Sequence, residues 1–73
     1  MCYFCVTYED GRCFECTHVT SATYYGTDKL TTVSEDELPE HCFPFKKTLW
    51  FHCKQGTYSV CGTGIRAIEC RKE

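Results

Sequence analysis

The chain has 73 residues, a formal net charge of −2 and eight cysteines. So short a chain has room for one domain, residues 1–73, whose core buries too little apolar surface to offset its chain entropy without a further staple. Acids and bases are interspersed, which argues against nucleic acid as a partner, and no apolar run approaches the roughly eighteen residues of a membrane span.

Residues 3–8 (Tyr-Phe-Cys-Val-Thr-Tyr) and 12–19 (Arg-Cys-Phe-Glu-Cys-Thr-His-Val) are rich in strand formers. Asp10-Gly11 between them predicts a two-residue hairpin turn, because both central positions need positive φ. That register sets Cys5 opposite Cys16 and Tyr8 opposite Cys13. Cys5 and Cys16 then share one face, Cys2 and Cys13 the other. Cysteines three apart on a strand point to opposite sides and cannot bond each other. Each C-x-x-C pair, Cys2/Cys5 and Cys13/Cys16, is therefore expected to send its sulfurs to different partners.

Further on, Tyr24-Tyr25 and Leu30–Val33 are expected as short strands around a turn at Gly26-Thr27-Asp28. Ser34-Glu35-Asp36-Glu37 has the S-x-x-E form of a capping box, with acids where a helix dipole favours them. One short helix is predicted near 34–43, interrupted or delayed by Pro39 and ended before Pro44. Residues 48–53, 57–61 and 65–70 form a predicted three-stranded meander, with turns at Lys54-Gln55-Gly56 and Gly62-Thr63-Gly64. Leu49, Phe51, Tyr58, Val60, Ile65 and Ala67 fall on its expected core face. Trp50, His52, Cys61, Arg66, Ile68 and Cys70 fall on the other. The expected fold is a small disulfide-rich α+β domain, an antiparallel sheet with one short helix.

The cysteines are spaced C-x2-C-x7-C-x2-C-x25-C-x10-C-x7-C-x8-C. Eight in 73 exceeds the roughly 8–10% that marks a disulfide scaffold in a short secreted chain. Four disulfides among Cys2, Cys5, Cys13, Cys16, Cys42, Cys53, Cys61 and Cys70, at roughly 2–4 kcal/mol each, are the expected staple. On the order of a hundred pairings are possible, and the spacing does not select one. No signal peptide precedes Cys2, which fits a mature secreted chain carrying an added initiator Met as well as a natural intracellular start.

Three candidate chemistries follow. Zinc is the rival use of the sulfurs: Cys2, Cys5, Cys13 and Cys16 offer four thiolates for an intracellular interaction module, although seven residues between the pairs is tighter than a familiar two-knuckle site. His18, His41 and His52, with Glu15, Glu40, Lys47 or Arg66, could supply acid–base catalysis in a small secreted ribonuclease-like toxin, but no spacing supports it. Trp50, Tyr24 and Tyr25 are the candidate binding surface for a protein or a cell-surface carbohydrate, while Phe43, Phe51 and Tyr58 fit a core.

Size, eight spread cysteines, Thr/Tyr-rich strands, one short helix and the Tyr3-Phe4-Cys5 start make the chain similar to the small secreted cysteine-rich proteins of fungi: effectors, antimicrobial proteins and killer-toxin-like mini-domains. The resemblance implies a monomeric extracellular protein without catalysis or cofactor, acting as an effector or toxin by binding a host or competitor molecule. It carries no functional residue over.

Overall fold

A computed structural model describes all 73 residues. Six antiparallel strands form one bent sheet: β1 (Cys2–Tyr8), β2 (Cys13–Tyr25), β3 (Leu30–Ser34), β4 (Leu49–Cys53), β5 (Gly56–Val60) and β6 (Ile65–Lys72). A 3-10 helix, η1 (Glu35–Glu40), follows β3. The strand order is β5-β4-β2-β1-β6, and β3 pairs with the C-terminal part of β2.

The thirteen-residue β2 organises the rest. Its first half pairs with β1, its second half with β3, and its other edge with β4. Two register shifts interrupt it, one between the Val19 and Cys16 pairings to β1 and one between Val19 and Ser21 in the pairing to β4. His18 sits there at φ 60, in the left-handed region that a non-glycine residue adopts mainly at turns and bulges. Each extra residue stretches the buried spacing from two to three: Cys16, Val19 and Ala22 all face inward. Strand bulges bend a sheet and increase its twist. Here they fold β2 so that its halves face each other across the core, the way a strand turns a corner between two packed sheets.

Ring contacts report that fold. Phe4 on β1 and Phe51 on β4 flank β2 on opposite sides, paired with Cys16 and Ala22, and in a flat sheet would lie roughly 20 Å apart. Their ring centroids are 4.4 Å apart, so the sheet has closed over them. Phe43, from the loop after η1, plugs the open side with centroids 5.5 Å from Phe4 and 6.5 Å from Phe51. Val6, Val19, Ala22, Val33, Leu38, Leu49, Val60 and Ile65 complete the core with the buried Cys2 and Cys16, and no polar side chain is buried among them.

Four expectations need correction. The first hairpin has a three-residue loop: Gly11 donates its N–H to Tyr8 at 2.9 Å, Tyr8 donates to Arg12 at 2.8 Å, and Gly11 lies at φ +92. The register therefore slips by one, pairing Phe4 with Cys16, Cys5 with Glu15 and Thr7 with Cys13. A one-residue slip exchanges faces, so Cys2 joins Cys16 inside while Cys5 joins Cys13 outside. Second, residues 13–25 are one strand, and Tyr24-Tyr25 continue it.

Third, the expected short helix is present, but as a 3-10 helix over Glu35–Glu40, shorter than the 34–43 expected. The Ser34 hydroxyl makes no bond to the helix backbone and instead donates to the Glu37 carboxylate at 3.2 Å. Pro39 lies inside, where it denies the segment a backbone donor, and the buried Leu38 anchors the turn. Fourth, the meander breaks after its hairpin of β4 and β5: β6 crosses the molecule and pairs with β1. A shift near Ile65–Ala67 then turns Ile68 and Cys70 toward the core side, opposite Val6 and Phe4, and leaves Ala67 exposed. Gly62 makes the crossing possible, since a Cβ there would lie 2.0 Å from the Lys47 carbonyl oxygen. No sulfur–sulfur bond joins any of the eight cysteines in this structure.

Candidate functional site

Directly paired residues on antiparallel strands project to the same face, so the register assigns every side chain. On the inner face, Phe4 lies between Cys16 and Cys70, and Cys2 lies two residues along from Phe4. Cys53 pairs with Val19, next inward residue after Cys16. Four sulfurs thus gather at one end of the core. Burial holds the Cys16 thiol up to about 11, with the neighbouring Cys53 adding to it. Burial likewise pushes Cys70 up to about 12, reinforced by the charge of, and a hydrogen bond with, Cys2. Thiols held so far above neutrality are poor nucleophiles and poor metal ligands until deprotonated.

The four N-terminal sulfurs proposed for zinc are divided by the sheet: Cys2 and Cys16 inside, Cys5 and Cys13 outside. No three Cys, His, Asp or Glu side chains converge in a geometry that could hold an ion. The remaining sulfurs are peripheral. Cys42 is exposed in the loop beside Tyr24 and Lys47. Cys13 and Cys61 line one shallow cleft with Tyr8, Arg12 and Thr63.

The histidines make three separate sets of contacts. His18 Nδ1 lies 3.1 Å from the Glu73 carboxylate, which also accepts the His18 backbone N–H at 2.9 Å. His41 Nε2 meets the Tyr24 hydroxyl at 2.7 Å. His52 is held on both sides, Nε2 at 2.9 Å from Thr23 Oγ1 and Nδ1 at 3.0 Å from Thr57 Oγ1. Glu15, Glu40, Lys47 and Arg66 hydrogen-bond none of the three rings.

The two outer faces differ. Over β6, β1 and the first half of β2, the outer face carries charge. Tyr3 donates to the Glu15 carboxylate, Arg71 stacks on the Tyr3 ring at 4.6 Å, and Arg71 pairs with Glu69 at 2.9 Å. The bond to Glu15 raises the Tyr3 phenol above its ordinary range.

Over β3, the second half of β2, β4 and β5, the outer face bears no formal charge. One row reads Thr32, Thr23, Trp50, Ser59, and the next reads Ser34, Ser21, His52, Thr57. Thr23 Oγ1 also meets Thr32 Oγ1 at 3.2 Å, so a chain of side-chain hydrogen bonds crosses all four strands from Thr32 to Thr57. Leu30 and Tyr25 close this face at one end, 57% and 54% exposed.

The predicted binding trio is therefore split. Trp50, half-buried, and Tyr25 lie on this outer face, two residues apart in register along β2. Tyr24 points inward, pairs with Leu49, and packs on Phe43 and His41. Sequence reasoning missed the hydroxyl rows. Their signal was the alternation of Ser21, Thr23 and Tyr25, visible once residues 20–25 are read as strand. No helix is long and apolar enough to cross a membrane. No protein-family model matches the sequence, and no curated protein or solved structure matches it.

Proposed function

We propose that this chain is a secreted, disulfide-stapled, non-enzymatic protein that acts as an effector or toxin-like binder. Its working surface is the uncharged outer face around Trp50, Tyr25 and His52. The observation that carries this reading is that face: an aromatic plate set among hydroxyls and an imidazole, in a chain where a quarter of residues are charged. Such a surface suits a neutral polar partner, a cell-surface carbohydrate or a protein, since a ring stacks on apolar faces while hydroxyls and imidazole exchange hydrogen bonds. Three histidines bound to separate partners favour binding over acid–base chemistry. Cysteine density favours an oxidising compartment.

The test is a titration of labelled, oxidised protein against target-cell surfaces and neutral oligosaccharides. Trp50→Ala and His52→Ala should each weaken binding at least about tenfold, the loss of roughly 1.4 kcal/mol expected for a contact residue. Glu69→Ala, on the charged outer face, should leave it unchanged. Equal binding by Trp50→Ala and the parent protein would remove this face from the function.

A further inference from the structure

We infer that the inner-face cysteines close two specific disulfides, Cys2–Cys70 and Cys16–Cys53, each tying together segments far apart in the chain. The inference rests on the reading of an oxidising compartment and adds to it the pairing, which cysteine spacing alone does not give.

The register argues for it. Cys2 is opposite Lys72 on β6, and Cys70 is two residues from Lys72 on the same inner face. Cys53 is opposite Val19, and Cys16 is the inward residue before Val19 on β2. Both pairs are diagonal neighbours. In a flat sheet such neighbours lie about 7–8 Å apart, slightly beyond the roughly 4.4–6.8 Å Cα span of a disulfide. Neither pair sits in flat sheet. Cys2 adjoins the shift between β1 and β2, and Cys16 and Cys53 straddle the bulges that bend β2, where local twist is greatest. Each thiol also acts on its proposed partner as a near neighbour: Cys2 helps to raise Cys70, and Cys53 helps to raise Cys16.

Cys2 is also a diagonal neighbour of Cys16, but joining those two leaves Cys53 on β4 and Cys70 on β6 with β2 and β1 between them. Cys16 and Cys70 are separated by β1, with the Phe4 side chain between them on the same face. Sharing one ion is disfavoured, because no three such ligands converge.

The chemistry balances with a disulfide oxidant such as glutathione disulfide. For each bond, two thiols lose two protons and two electrons, one sulfur–sulfur bond forms, and the oxidant leaves as two glutathione thiols. Exchange proceeds through a thiolate. The buried Cys16 and Cys70 are therefore attacked most readily before the sheet closes. Once closed, the bonds are shielded.

The two links differ in what they hold. Cys2–Cys70 joins the first strand to the last. Cys16–Cys53 spans the bend and locks β2 against β4. The four outer or loop cysteines, Cys5, Cys13, Cys42 and Cys61, have no equally close inner partner.

The experiment is refolding of the full reduced chain in a glutathione redox buffer, blocking of residual thiols in acid, and mapping of linked peptides by mass spectrometry. Trypsin together with chymotrypsin cuts between Cys2 and Cys5 at Tyr3 or Phe4, and between Cys13 and Cys16 at Phe14. Linked peptides carrying Cys2 with Cys70 and Cys16 with Cys53 are expected. The matched double variant Cys16→Ser/Cys53→Ser should retain the Cys2–Cys70 peptide, and Cys2→Ser/Cys70→Ser should retain Cys16–Cys53.

Bonds that form between other partners, such as Cys2 with Cys16, overturn the pairing and leave the secreted reading standing. Eight blocked thiols after oxidative refolding overturn the pairing and the secreted reading together. The map of the unmodified chain decides the matter even if a variant does not fold.

Discussion

On one side of the bend at His18, the strands β6, β1 and the first half of β2 carry Cys2, Cys16 and Cys70 inside, and Cys5 and Cys13 on a charged outer face. On the other side, β3, the second half of β2, β4 and β5 carry Cys53 alone, beneath an outer face of hydroxyls, Trp50 and His52. Only β2 belongs to both. Sulfur is concentrated where the chain ends meet, and the uncharged surface lies on the half whose strands carry a single cysteine. The core shared between the halves, Phe4 from one and Phe51 from the other, makes them a single folding unit despite this division.

The strongest way to break the comparison is to cut that shared core. Phe4→Ala should cost about 3–5 kcal/mol, from lost transfer energy and the cavity left between Phe51 and Phe43. Denaturation followed by Trp50 fluorescence and by far-UV circular dichroism should give coincident transitions. If Trp50, on the far half, reports a transition unchanged by Phe4→Ala, the halves are independent and the shared-core account fails. Phe4→Ala combined with Phe51→Ala should also be less costly than the sum, because neighbouring rings are not additive.

Next in size are the cross-links. In oxidised protein, Cys16→Ser/Cys53→Ser should lower stability by about 2–4 kcal/mol, measured by guanidinium denaturation. A companion prediction concerns pH. In reduced protein, burial raises Cys16 to about 11 and Cys70 to about 12, above the ordinary thiol near 9.0. The folded state holds both protons more tightly than the unfolded chain does. That stability is fully present below pH 9.0 and is lost as pH rises through 11 and 12, when the unfolded thiols ionise first. The reduced protein should therefore lose thermal stability from about pH 9 upward. The oxidised protein should show less of this loss. Identical alkaline profiles in the two redox states would mean that Cys16 and Cys70 are not in the bonds.

Much of the fold was legible from local signals, and its failures share one cause. Strand formers around Gly11, Gly26 and Gly56 located the β-strands, and the C-x-x-C argument was right that three-apart cysteines face opposite ways. What local reading could not supply was the count of residues in loops and bulges. Gly11 serves a three-residue loop as readily as a two-residue one, and the difference exchanges the faces of Cys2 and Cys5. Nothing in Thr17-His18-Val19-Thr20 announces two bulges, yet they join two predicted segments into one bent strand. The pairing of β6 with β1 depends on contacts between chain ends, which periodicity within a segment does not encode. The site was half legible for the same reason. Trp50 and Tyr25 could be picked by residue type, while the turning-in of Tyr24 and the rows of hydroxyls depend on register.

A smaller test addresses the hairpin loop that sets those faces. Gly11 lies at φ +92, a backbone conformation that costs an L-residue about 1–2 kcal/mol, with open space where a Cβ would go. Gly11→Ala should destabilise by that amount through backbone strain alone, measured by thermal denaturation. An unchanged melting temperature would mean that Gly11 does not hold the left-handed conformation on which this loop rests.

The smallest expected effect decides whether the uncharged face is scaffold or spare surface. Thr57→Val is nearly isosteric and removes only the hydroxyl that meets His52 Nδ1. His52 keeps its other partner, Thr23 Oγ1 on β2, and the freed ring nitrogen can reach water because Thr57 is exposed. A partly solvated hydrogen bond lost in this way should cost about 0.5–1 kcal/mol. The His52 ring should gain rotational freedom, visible as a change in its nitrogen chemical shifts. Binding should weaken by more than stability does, since an imidazole no longer held in place must be ordered by the partner instead. A loss of stability well above this range would make the hydroxyl chain a structural tie between β4 and β5, and would move the case for a binding face onto Trp50 and Tyr25 alone.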